Sequence, residues 1–350
     1  MAITKSLSEI VAFAQQHEVA WAREVDDKWG VHVNDPAPWN RLLGPVHDRG
    51  PVSGVVIHQG QEMLTWGEPK RSDLTFSIAK TYLALLAGIA YDDGLLPDVH
   101  QPIGQQVAGI GFEGRHNHQV TWAQMLQQTS EWTGHCFGLP DQADHYRVVE
   151  FAAKPTGEKG CLRPLSTPGS YWEYNDVRIN QLALALLHLF GQPLPEVFED
   201  RIMQAVGAEF PWQWVGYDHA WTEVNGRRVQ SVPGGTHWGG GVSIAAADQA
   251  KIGMMMLNNG QYNNYQVVSA DWLQQMRQPG KLAPYYGYLT WLNTDKKLFP
   301  SLPESSYCAI GAGGNFCLIV PEDELVIVAR WLDPKYAETL FRHILTAIHT

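Results

Sequence analysis

The strand-forming runs of this 350-residue chain lie near its two ends, while its middle reads as helices and loops. Near the front, Val52–Gln59 and Glu62–Trp66 are short apolar runs parted by Gly60-Gln61, a hairpin pattern. Near the back, Ala309–Val320 and Leu325–Trp331 flank Pro321-Glu322-Asp323-Glu324 and read as a second hairpin. An isolated hairpin is marginal in water, so the two are expected to share one antiparallel sheet. Helical spacing at 7–29, closed by Gly30, and at 334–348 supplies terminal helices to cover it. Residues 77–91 form a strongly apolar helix ended by Asp92-Asp93-Gly94, and 246–257 a further one. The stretch from 95 to 230 mixes helical patches (122–128, 176–190) with Pro/Gly loops. The prediction is an α+β fold: an antiparallel sheet flanked by N- and C-terminal helices, plus a helical lobe. Residues 1–70 and 231–350 would form the sheet unit and 71–230 the mainly helical one. A cleft between two such lobes is a natural small-molecule site.

Composition narrows the function. Charged residues are only 17% against 45% apolar, which excludes a disordered chain. Asp plus Glu outnumber Lys plus Arg by 36 to 25, a formal charge of −11 with no basic run. Such a surface repels phosphate backbones and anionic lipid heads, so neither nucleic acid nor a membrane is an expected partner. The longest apolar stretches, Leu83–Ala90 and Leu182–Phe190, are about half of a bilayer span. Glu9 and Gln15 break the N-terminal stretch, against a secretory signal. A cytoplasmic location is expected. Cys136, Cys161, Cys308 and Cys317 are scattered and form no C-x-x-C pair, so no disulfide framework or zinc ribbon is expected.

The sharpest chemical signal is Ser77-Ile78-Ala79-Lys80 at the start of the apolar helix. Residues three apart share a helix face, so the Lys80 amine can reach the Ser77 hydroxyl. A first-turn Ser lies in the positive end of the helix dipole, which favours a developing alkoxide. A Lys partly buried among Phe76, Leu83 and Ala84 would lose its ammonium form more readily and could act as a base. The plain alternative is a cap Ser followed by a solvated Lys.

A proton shuttle needs a further group, and three tyrosines precede Asn or Asp. Tyr91 ends the Ser77 helix itself, 14 residues and about 21 Å away. Tyr262-Asn263-Asn264 looks like turn chemistry. Tyr174-Asn175-Asp176 lies between a Pro168-Gly169 turn and an apolar helix. Its phenol could face a cleft, with Asp176 as helix cap or as a partner for Lys80. A third element, Gly311-Ala312-Gly313-Gly314-Asn315, leads into a strand. Glycines there suggest close approach of another backbone or a ligand, and a bulge is the alternative. A substrate carbonyl against this edge could be held by the N–H of Ser77 and of a residue near Asn315.

In order and spacing, these elements resemble the serine hydrolases of the beta-lactamase and penicillin-binding-protein superfamily, in its class C-like branch of esterases, D-amino-acid peptidases and amide hydrolases. The resemblance runs from about residue 45 to 335. It rests on Thr75-Phe76-Ser77-Ile78-Ala79-Lys80, the segment 121–130, Tyr171-Trp172-Glu173-Tyr174-Asn175-Asp176, Trp238-Gly239-Gly240-Gly241 with Asp248, and Gly311-Ala312-Gly313-Gly314. It implies Ser77 as the acylated nucleophile, Lys80 and Tyr174 as general base and proton shuttle, and the N–H groups of Ser77 and Asn315 as the oxyanion hole. Two positions depart from the pattern. Asp176 stands where Asn is usual, and a carboxylate there favours the ammonium form of Lys80, which shifts the base role towards Tyr174. Ala312 stands where the family carries Lys or His, a cation that helps to bind a substrate carboxylate. Its loss favours a neutral ester or amide over beta-lactam or D-Ala-D-Ala-type substrates. A true beta-lactamase or D-amino-acid peptidase, and an inactive ligand-binding descendant, are the alternatives.

Other signals carry less. Gly109–Gly114 spells G-x-G-x-x-G, but the polar Arg115-His116-Asn117-His118 follows where a dinucleotide site needs a helix, so no cofactor is expected. His116, His118 and His135-Cys136 invite a metal, yet they form no zinc-enzyme run, and solvated loop histidines are expected instead. Trp132, Trp172 and Trp238 adjoin the motif segments and could line an aromatic cleft or simply pack in the core. Glu131 and Glu173 show no pairing of the kind glycosidases use.

Overall fold

The computed structural model of the chain describes residues 6–349. The first five residues, which open both the predicted sheet unit and the stretch weighed against a secretory signal, lie outside it, as does Thr350. The principal sheet has six strands: β1 (Ser53–His58), β2 (Gln61–Trp66), β3 (Trp291–Leu292), β4 (Tyr307–Gly311), β5 (Asn315–Val320) and β6 (Leu325–Arg330). They lie in the order β3-β4-β5-β6-β1-β2. The joint between front and back is the antiparallel β1–β6 pair, in register from Ser53↔Arg330 to His58↔Leu325. The two hairpin regions therefore do share one sheet.

Every residue of β5 and β6 is buried, which requires cover on both faces. Successive strand residues show how it is supplied. The Phe316 ring meets Phe341 of the C-terminal helix (Ala337–Ile348), while Cys317 lies under Gly253 of the Ala246–Leu257 helix. The N-terminal helix (Leu7–Gln16) packs against the C-terminal one. A smaller three-stranded sheet joins Ser72–Leu74 and Gln213–Val215 to Gly241–Ala245. It delivers the chain directly to Ser77. Among the described residues, no helix is long and apolar enough to cross a membrane.

Two local expectations need correction. The helix expected over 7–29 ends at Gln16. Beyond it, Val19 N–H donates to Trp331 O at 2.8 Å and Asp333 N–H to His17 O at 2.9 Å, so this segment seals the end of β6. Its apolar residues Val19, Trp21 and Trp29 surround Phe76 instead of lining a helix face. The back run expected as one hairpin is three strands, because Ala312-Gly313-Gly314 is a tight turn between β4 and β5. Gly313 and Gly314 have φ of +74° and +73°, a conformation in which a side chain is strained. The predicted helix at 176–190 is observed as Asp176–Phe190, and the patch at 122–128 as Trp122–Leu126 behind a Thr121/Gln124 capping box.

Candidate active site

Ser77 sits at the N-terminal cap of the Ile78–Asp92 helix. Phe76 before it is held at φ +52°, and rings of Trp21, Trp29 and Trp331 enclose its side chain. This tight turn follows Leu74, whose strand ends there, and aims the Ser77 side chain across the first helical turn. Lys80 Nζ donates to Ser77 Oγ at 2.8 Å, the contact expected from the i, i+3 spacing. The Ser77 N–H has no hydrogen-bond partner among the described residues. Gly235 is packed so close that a Cβ on it would lie about 3.0–3.3 Å from Lys80 Nζ, Asp176 Oδ2 and Ser77 Oγ.

Lys80 is 1% exposed and pairs with Asp176 Oδ1 at 2.6 Å. The cap of the Asp176–Phe190 helix is Asn175, whose side chain accepts from Arg178 N–H. Asp176 is thereby free to reach Lys80. Its carboxylate also holds Arg147 Nη1 at 2.9 Å, and the same Arg147 atom reaches Asp144 Oδ2 at 3.1 Å. Asp144 Oδ1 meets Lys159 at 3.2 Å, Lys159 bonds Asp35, and Asp35 meets His237 Nε2 at 2.7 Å. His237 Nδ1 lies 3.8 Å from Asp176 Oδ2 and closes the ring. Three carboxylates thus face three cations in a nearly water-free setting. Burial acts most strongly on Asp176 and pushes its carboxyl up, but Arg147 and Lys80 outweigh it and hold the group at about 2. Asp144 is likewise pulled below the usual carboxylate range, by Arg147 and Lys159 against burial. Burial, then the Arg147 charge, lowers His237.

Tyr174 is buried beside this network. Lys80 Nζ lies 4.7 Å and the Arg147 guanidinium carbon 5.1 Å from its ring centre, so two cations face one phenol. Ser77 and Tyr174 line the same cavity of ≈ 210 Å³. Its other walls include Arg147, Phe151, Trp291 and Ile310, with the β4 end at Gly311 and Ala312. Among the described residues no hydrogen bond joins the phenol to Ser77 or Lys80; the cavity provides the space where a substrate can stand between them.

The glycines of the third element are accounted for by backbone approach. A Cβ on Gly311 would lie 2.0 Å from Thr75 O, and one on Gly314 1.6 Å from Leu332 O. Ala312 and Gly314 line the cavity, whereas Gly313 packs on Trp331. Asn315 is fully buried opposite Gly311 in the β4–β5 ladder, with its amide donating to Ala312 O at 2.7 Å. The three tryptophans do not border the Ser77 cavity. Trp132 and Trp238 are core residues whose indole N–H groups bond Gly111 O and Trp39 O. Trp172 is half-buried against Tyr285 and Tyr286. Trp291 borders the cavity instead.

Sequence reasoning missed Asp35, Asp144, Arg147, Lys159 and His237. Asp35, Arg147 and Lys159 lie in irregular segments and Asp144 ends a single 3-10 turn, where no period marks a buried charge, and His237 was visible only as the neighbour of Trp238. Asp144, Asp176 and His237 have the spacing of a metal site among the described residues, but Lys80, Arg147 and Lys159 already meet their charge. His116 and His118 bond backbone carbonyls, and His135 is exposed. The G-x-G-x-x-G loop folds on its own Glu113, which accepts from Gly109 and Gly111 N–H. Glu131 and Glu173 clamp Arg163 and Arg178.

Comparison with known proteins bears on the family and the fold. A family model described as beta-lactamase matches residues 52–338. The chain belongs to the beta-lactamase family. Its fold is similar to a protein of Bacteroides dorei assigned as a beta-lactamase, at 15% identity and a TM-score of 0.62, over 86% of this chain and 94% of that one. A protein of Bacillus anthracis assigned as a 6-aminohexanoate-dimer hydrolase matches at 16% identity and a TM-score of 0.62, over 96% and 89%. The hydrolase EstCE1, described as having promiscuous acyltransferase activity, matches at 13% identity and a TM-score of 0.62, over 98% of each chain. This member of the beta-lactamase family therefore has the family's hydrolase fold, and at these identities the structural likeness is one of fold.

Proposed function

We propose that the protein is a serine hydrolase that cleaves a neutral ester or amide through an acyl-enzyme on Ser77. The observation that carries this reading is the 2.8 Å contact between Lys80 Nζ and Ser77 Oγ beside a cavity that Tyr174 also lines. Ser77 Oγ attacks the carbonyl while Lys80 donates a hydrogen bond to it, and the Ser77 proton passes by way of Tyr174 to the leaving group. The Oγ–C bond forms as the bond to the leaving oxygen or nitrogen breaks. Water then attacks the acyl-enzyme, and the proton path runs in reverse. The N–H of Ser77 and one from the Gly311–Asn315 turn hold the oxyanion.

Lys80 Nζ is held between Asp176 Oδ1 at 2.6 Å and Ser77 Oγ at 2.8 Å, which suits it to donate hydrogen bonds and leaves Tyr174 as the base. Lys80 and Arg147 lie against the Tyr174 ring and hold it in place at the cavity wall. The missing side chain at Ala312 favours a neutral substrate, because the turn itself offers no cation. Ser77→Ala should lower turnover of a short-chain aryl ester by at least about a thousandfold with an unchanged circular dichroism spectrum. Retained turnover rejects the nucleophile, and turnover that a chelator abolishes points to a metal-dependent hydrolase instead.

A further inference from the structure

Tyr174 and Arg147 border two neighbouring cavities. One is the ≈ 210 Å³ space that Ser77 borders. The other, ≈ 380 Å³, is bordered by Tyr146, Tyr171, Trp172 and Tyr285 as well as by Tyr174 and Arg147 themselves. The aromatic rings continue from one cavity to the other. Trp172 stands edge-on to Tyr285 at 5.6 Å, Tyr285 stacks with Trp291 at 6.2 Å and 13°, and Trp291 stacks with Tyr174 at 5.8 Å and 27°. Trp172, Tyr146 and Tyr285 are each only part-buried where they border this cavity, while Arg163 lies over the Tyr171 ring. Such a wall suits a flat apolar group.

Resting on the reading of Ser77 as the acylated nucleophile, we propose that this second cavity is the leaving-group subsite and that it selects esters or amides of aromatic alcohols or amines. The chemistry sets the direction. The leaving atom takes its proton from the shuttle, so it must depart within reach of Tyr174, the residue common to both cavities. The acyl part stays bonded to Ser77, in the space walled by Val149, Phe151 and Ile310. As the Ser77 Oγ–C bond forms, the C–O or C–N bond breaks, and the protonated aromatic alcohol or amine leaves through the Trp172 side.

The test uses benzyl and ethyl butyrate, whose alcohols differ little in basicity but greatly in aromatic surface. The wild-type protein should prefer the benzyl ester in kcat/KM by about tenfold or more. Trp172→Ala should remove most of that preference, while Trp172→Phe, which keeps a ring, should retain it. Deacylation of the common butyryl-enzyme should be the same in all three, because the alcohol has already gone. Tyr285→Leu provides an independent loss of ring surface should Trp172→Ala fail to fold. An unchanged benzyl preference in the folded variants overturns the inference, and so does a parallel fall in deacylation, which marks a structural disturbance. If neither ester acylates Ser77 in the wild-type protein, the parent reading itself fails.

Discussion

Ser77 and Lys80 were readable in the sequence because one helical turn fixes their separation; the same short-range logic does not reach Arg147. That side chain comes from a loop with no period, yet it touches Asp144, Asp176 and the Tyr174 ring at once. Asp176 was readable as a partner for Lys80, but not as a member of a ring of buried charges. The ring makes Asp176 costly to neutralise. Asp176→Asn leaves Lys80 and Arg147 short of a counter-charge in a buried site, and should destabilise the fold by about 3–5 kcal/mol in urea titration. A change below about 1 kcal/mol would mean that the ion pairs are not formed in solution. Ala312→Lys places a cation at the cavity wall. It should raise kcat/KM for a carboxylate-bearing ester relative to its neutral analogue by about tenfold at low salt, and an unchanged ratio would show that this turn does not meet the acyl group.

At the scale of elements, the strands were readable where they are continuous and the turns where their chemistry is distinctive. Tyr262-Asn263-Asn264 is a turn as expected, with Asn263 and Asn264 both at positive φ. The end of the first helix was not readable, because the segment after it is held by Trp331 and Asp333, just past β6 and more than 300 residues away. The split of the back run into three strands rests on glycines that periodicity passes over. The same glycines give β4 its position. Gly311 presses on Thr75 O just before the nucleophile, so Gly311→Val should push strand and helix apart. We expect a loss of at least about tenfold in kcat/KM with a lowered melting temperature, against a Gln61→Ala control at an exposed hairpin position. Equal behaviour of the two variants would contradict a tight β4–helix seam.

At the scale of the whole molecule, the α+β arrangement followed from where the strands stand in the chain, whereas the charge network needed tertiary structure to exist at all. Buried titratable groups, with His237, Asp144 and Asp176 of that network among them, give stability a defined pH dependence. His32, His188 and His237 are lowered by burial, so their contribution is complete above about 6.5 and declines as pH falls below it. Asp144 and Asp176 are also lowered, so theirs is complete above about 3.8 and is lost as pH falls towards 2. Melting temperatures between pH 8 and 2 should therefore fall in two stages, and Asp176→Asn should flatten the second. A single fall above pH 5 would contradict the assignment.

The central claim is a covalent bond to Ser77. Intact-mass analysis after brief incubation with an aryl butyrate, followed by peptide mapping, tests it directly. The account predicts one butyryl group per chain, on the peptide that contains Ser77, and none in Ser77→Ala. Turnover of the ester with no adduct at any time, or an adduct on another residue that survives Ser77→Ala, would contradict it.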